Sequence, residues 1–115
     1  MTGFGQSLDT ILAHAEQLQQ VRKADLRFGD WVIVQTRNSI YSIRVSDGDC
    51  YLISGGWFDQ KGLSPIKTTI AGCTWGGSMI KVDIVAACGL SLEFGNRVVT
   101  STIQKIFVVP NGSVN

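Results

Sequence analysis

The chain has 115 residues, 44% of them apolar and 17% charged, with 13 glycines. That length supplies one hydrophobic core and excludes two ordinary domains, and the apolar share excludes wholesale disorder. Ten basic and nine acidic side chains leave a formal charge of +1, which argues against a strongly basic nucleic-acid protein and against an acidic solvating tail.

At the N-terminus, Leu8, Ile11, Leu12, Ala15, Leu18 and Val21 or Arg22 follow a 3.6-residue spacing, and this predicts a single helix over residues 7–24. Ser7 is placed to cap it, with Asp9 in its first turn and Arg22 and Lys23 in its last, where cations suit the helix dipole. After Gly29 the pattern changes. Val and Ile together number 22 against 14 for Ala and Leu, a bias toward strands.

The first three strands are expected at Asp30–Thr36, Ser39–Ser46 and Asp49–Ser54. Their turns are Arg37-Asn38-Ser39 and Asp47-Gly48, the second a two-residue hairpin signal. That turn places Val45 against Cys50 and Ile43 against Leu52. Val32, Val34, Tyr41, Ile43, Val45, Cys50 and Leu52 then share one face. In the same arrangement Trp31 lies opposite Arg44, on the other face, where a cation–π stack can form.

Gly55 to Pro65 reads as a long connection. A fourth strand is expected from Pro65 to Trp75. A three-residue loop at residues 76–78 is preferred over a two-residue one, because it pairs Thr74 with Ile80, Gly72 with Val82 and Ile70 with Ile84, so that apolar faces match. From Ile80 to Phe94 every even position is apolar. A single strand that long would span about 50 Å at ~3.3 Å per residue, more than such a domain can hold. A kink is therefore expected in the small residues Ala86 to Gly89. Gly95-Asn96 turns the chain into a last strand, Arg97–Val109, and the tail from Asn111 is expected to fray.

The whole is expected to be mainly β: one domain over residues 1–115, a small antiparallel meander barrel of six to seven strands with bent long strands. The N-terminal helix covers an end or a flank. Ile33, Ile40, Ile53 and Val85 find no place on the inner face of that barrel.

Chemistry-bearing constellations are sparse. His14 is the one histidine, and the three cysteines, Cys50, Cys73 and Cys88, form no C-x-x-C pair. No catalytic, cofactor or metal site is assigned on these grounds. Asp47 and Asp49 flank a turn too short for a calcium loop. The glycine pairs at 55–56 and 76–77 precede no expected helix and lack the lysine of a phosphate loop. The absence of an apolar run of ~18 residues and of a visible leader at Met1–Gln6 leads to the expectation of a cytoplasmic protein with no membrane partner.

Aromatic residues beside glycines stand out. Trp57 and Phe58 follow Gly55-Gly56, and Trp75 precedes Gly76-Gly77. With Trp31 and Arg44 these are the candidate interaction residues. The expected function is a non-enzymatic binding or assembly module that associates with itself or with another protein. One alternative is single-stranded nucleic-acid binding through Trp57, Trp75 and nearby basic residues. The other is a small ligand-binding barrel or enzyme with a pocket near the 55–65 loop, Asp83 or Cys88.

Overall fold

A computed structural model describes residues 15–75 and 79–111. Eleven strands are described: β1 (Glu16–Leu18), β2 (Gln20–Arg22), β3 (Trp31–Thr36), β4 (Ile40–Val45), β5 (Tyr51–Gly55), β6 (Ile66–Thr68), β7 (Ile70–Trp75), β8 (Met79–Lys81), β9 (Ile84–Ala87), β10 (Ser91–Phe94) and β11 (Ile103–Val109). A short helix, α1 (Gly56–Gln60), follows β5, and a 3-10 turn spans Lys23–Asp25. Mainly β is therefore correct. Among the described residues the strands form three antiparallel sheets, and they do not close into a barrel.

The largest sheet has the order β1-β11-β3-β4-β5-β6, a second has β10-β7-β8, and β2 pairs with β9. The meander holds only from β3 to β6. The last strand, β11, returns to lie between β1 and β3, because Ile106 and Val108 on it meet Val34 and Val32. The last strand is shorter than expected from Arg97; residues 97–102 cross from one sheet to the other, tied to β10 by the bridge between Glu93 and Val99 and by backbone bonds from the Phe94 N–H to the Val98 carbonyl and from the Thr100 N–H to the Leu92 carbonyl.

The helix expected at 7–24 is overturned over residues 15–24, and residues 7–14 lie outside the described chain. Glu16–Leu18 pairs with β11, and Gln20–Arg22 pairs with β9. Leu18 and Val21 both pack on the core although they are three residues apart. The chain bends at Gln19 between two strands that belong to different sheets. That bend resets the two-residue alternation of a strand and imitates helical spacing.

The pairing of β3 with β4 is as expected, with Trp31 opposite Arg44 and Val32 opposite Ile43. The β4–β5 register is one residue off the expectation. Val45 faces Tyr51 and Ile43 faces Ile53, so Tyr51 and Ile53 are buried in place of Cys50 and Leu52. The cause is a three-residue turn, Asp47-Gly48-Asp49, in which Asp49 as well as Gly48 takes a positive φ. Asp and Gly both tolerate that conformation.

The two other long strands break. The expected strand 65–75 divides at Thr69, so that β6 completes the large sheet and β7 opens the second one. The 80–94 run breaks twice, at the Val82-Asp83 turn and at Cys88–Leu90, the second being the kink expected near Gly89. Thr74 does pair with Ile80. The β7–β8 ladder stops at Cys73 opposite Lys81, one pair short of Gly72 with Val82, and Ile84 departs to meet β2.

The core lies between the inner face of the large sheet and the two smaller sheets. Val32, Val34, Tyr41, Ile43, Tyr51 and Ile53 meet Ile70, Cys73, Ile84, Val85, Leu92 and Phe94. Ile53 and Val85 are thus core residues. Ile33 is buried outside this cluster, on the other face of β3, and Ile40 is exposed. Each such aliphatic or aromatic side chain stabilises the fold by roughly 1.5–3 kcal/mol.

Polar side chains fasten the ends. The Asp30 carboxylate is buried and accepts from the backbone N–H groups of Arg27 at 2.9 Å and Asn111 at 2.8 Å, joining the start of β3 to the end of β11. Ser101 Oγ donates to Thr36 Oγ1 at 2.9 Å and accepts from the Asn38 N–H at 3.1 Å, which holds the β3–β4 turn against the crossing segment.

Candidate interaction surface

The candidate residues fall in three separate places. Phe58 is fully buried and offers no surface. It follows Gly55, whose φ of +102° lets the chain turn from β5 into α1 and pass the Ile40 carbonyl where a Cβ would collide. The Phe58 ring stands edge-on to Phe94 at 4.9 Å and to Tyr41 at 6.2 Å, so α1 is a core plug. Trp57 is half-buried against Phe58 at 5.4 Å, and its backbone N–H donates to the Tyr41 hydroxyl at 3.3 Å.

Trp31 and Arg44 do stack, with the guanidinium carbon 5.3 Å from the ring centroid. Lys61 lies 5.9 Å from the Trp57 ring and Lys81 lies 6.0 Å from the Trp75 ring. Each described tryptophan therefore carries a cation over it. The three pairs belong to β3–β4, to α1 with the residue that follows it, and to β7–β8.

Trp75 is different in kind. It is 61% exposed, and its neighbours on the same hairpin are exposed as well: Met79 at 65%, Ile80 at 39% and Val82 at 62%. Trp75 pairs directly with Met79, and Thr74 with Ile80. Gly72 makes this hairpin possible at its base. Its φ is +143°, and a Cβ there would strike the Lys81 carbonyl. Strand alternation alone does not mark Met79, Ile80 and Val82 as surface residues. Read as one long strand, the 80–94 run put Ile80 and Val82 on the inner face. The available signal was Val82-Asp83, an apolar residue beside an acid two positions after a lysine, which marks the end of a short strand.

β8 ends its sheet, so its outer edge has no described strand beside it. The two edges of the large sheet are defended differently. β1 presents Glu16 and Gln17, and β6 presents Lys67, whose ammonium bonds Asp47 at 2.7 Å. Charge and polarity on an edge oppose unwanted strand pairing. β8 has one charge, Lys81, and it leans over Trp75. The hairpin therefore combines an open edge with apolar side chains, which is what strand addition requires.

Two of the surface grooves lie away from residues 55–65. One of about 600 Å³ lies between Glu16, Gln20, Asp25, Phe28 and Pro110. One of about 450 Å³ lies between Lys23, Asp49, Cys50, Tyr51 and Thr69. In the second, Lys23 Nζ already donates to the Ile70 carbonyl at 2.6 Å. Burial pushes the Tyr51 hydroxyl above its ordinary value, and the nearby Asp49 carboxylate adds to the shift. It is a neutral donor at pH 7. Among the described residues no three His, Cys, Asp or Glu side chains gather closely enough to hold a metal ion, and no helix is long and apolar enough to cross a membrane.

Fold and surface together define an all-β module of three small sheets with one apolar, open-edged hairpin. Comparison with protein-family models, with curated proteins and with solved structures finds no match to this chain.

Proposed function

We propose that this protein is a non-enzymatic binding and assembly module whose working surface is the β7–β8 hairpin. The observation that carries the reading is the exposure of Trp75, Met79, Ile80 and Val82 around an edge strand that, among the described residues, has a neighbouring strand on one side only. A partner strand laid along β8 would complete its hydrogen bonds. The apolar side chains would supply the hydrophobic contact, and Trp75 is the residue type that most often anchors such interfaces.

The test compares the native chain with Met79→Lys in a cell extract, by size-exclusion chromatography with detection of the chain. The native chain is expected to migrate above its monomer mass and the variant at it. If both migrate as monomers, the hairpin is not a working surface.

A further inference from the structure

We infer that the strand received by β8 is β8 of a second copy, paired antiparallel about a two-fold axis through Ile80. This rests on the reading of the hairpin as the working surface and adds the identity and register of its partner.

Three observations select a second copy. The first is register. Centring the pair on Ile80 sets Met79 opposite Lys81 of the second copy, twice over by symmetry, so each lysine stem lies along a methionine and no like charges face each other. Centring on Lys81 would set ammonium against ammonium, which is destabilising across a strand pair. Centring on Val82 would draw in the Val82-Asp83 turn, where the strand has ended. Centring on Met79 would set Ile80 opposite Ser78 and give up the contact of Ile80 with Ile80, so the Ile80-centred register is the one that matches apolar residues without opposing like charges.

The second is charge. The chain carries +1, so two copies approach with almost no net repulsion, and no strong field of either sign marks the hairpin for a charged partner. The one cation of β8 already lies over Trp75 at 6.0 Å and moves with the surface that is covered.

The third is area. At their observed exposures Met79, Ile80 and Val82 leave on the order of 300 Å² in water per chain, divided between the two faces of the hairpin, so a pair covers at most roughly 600 Å² of it. That is below the roughly 1,200 Å² at which stable interfaces begin and fits a weak, concentration-dependent pair. The same patch serves both copies, so the contact closes at two and does not propagate. The sheet β10-β7-β8 becomes one six-stranded sheet spanning both molecules.

The test uses the purified full-length chain. Sedimentation equilibrium across micromolar concentrations is expected to show a monomer–dimer equilibrium, and Met79→Lys, which sets an ammonium opposite Lys81 of the second copy, is expected to shift it at least tenfold toward monomer with an unchanged far-UV spectrum. Directly opposed residues have Cα atoms about 4.5–5.5 Å apart, within disulfide reach. Mild oxidation of Ile80→Cys is therefore expected to link two chains at position 80. As a measurement free of substitutions, the amides of residues 79–81 in the native chain are expected to exchange more slowly as concentration rises.

A chain that remains monomeric overturns the inference. So does a dimer that survives Met79→Lys and leaves the exchange of residues 79–81 unchanged with concentration, because it uses another surface. A purified monomer whose larger complex in extract is lost on Met79→Lys shows a foreign partner; it overturns self-pairing and leaves the hairpin reading standing.

Discussion

Cys73 and Thr74 are adjacent on β7, both buried, and each makes a separate prediction. The Cys73 thiol donates to the Val85 carbonyl at 3.6 Å, and burial pushes it from 9.0 up to about 11, against smaller opposing effects from a backbone bond at Ala87 and from Lys81. The folded state thus holds this proton more tightly than the unfolded state. Stability from that preference is fully present below pH 9 and is lost as pH rises through about 11. Two pH units correspond to about 3 kcal/mol at most. Urea unfolding at pH 8 and near pH 11 should show the native chain losing more stability than Cys73→Ala, although the variant starts lower. Equal losses would remove Cys73 as the cause. Thr74 Oγ1 is buried with no hydrogen-bond partner among the described residues. Thr74→Val keeps the shape and removes the orphaned hydroxyl, so thermal melting should show an unchanged or higher midpoint, with a gain of up to about 1 kcal/mol. A marked drop would mean that the hydroxyl is bonded in solution.

Among the elements, α1 has the largest effect for its length. Its five residues bring Phe58 between Tyr41 and Phe94, which themselves lie 5.6 Å apart. Phe58→Ala should cost about 3–5 kcal/mol by emptying this cluster, read from urea midpoints, whereas truncating the exposed Trp75 should cost little stability. A loss under 1 kcal/mol at Phe58 would show that the cluster is looser than its geometry. Elements also explain what could be read from the sequence. The β3–β4 pairing was legible because turn length and apolar face agree, and Thr74 against Ile80 for the same reason. The β4–β5 register was not, because Asp49 takes a positive φ that the two-residue reading of Asp47-Gly48 does not need. β1 and β2 were hidden by the bend at Gln19. α1 is too short for any periodicity to show. Of the candidate surface, Trp75 was legible from its glycines and the exposed Met79 and Val82 were not, since strand alternation carries no mark of where a strand leaves its sheet.

At the scale of the whole molecule, strand position predicts a gradient of stability. β3 has β11 on one side and β4 on the other, and its inner residues lie in the core. Exposing its amides requires breaking both pairings and opening the core, so they should exchange only through global unfolding. β8 is held on one side, by three residue pairs to β7, and all three of its residues are exposed. Lifting it away costs little buried apolar area. In dilute solution, amide exchange should therefore be fastest among the described strands at β8, while β3, β4 and β11 define the slow limit. This also bears on the scarcity of charge. A chain with only 17% charged residues has few charges to place on an edge against another strand, and β8 is where that scarcity coincides with low local stability. If β8 proved as protected as β3 in dilute solution, it would already be anchored within the monomer, and the open edge on which the functional reading rests would be lost with it.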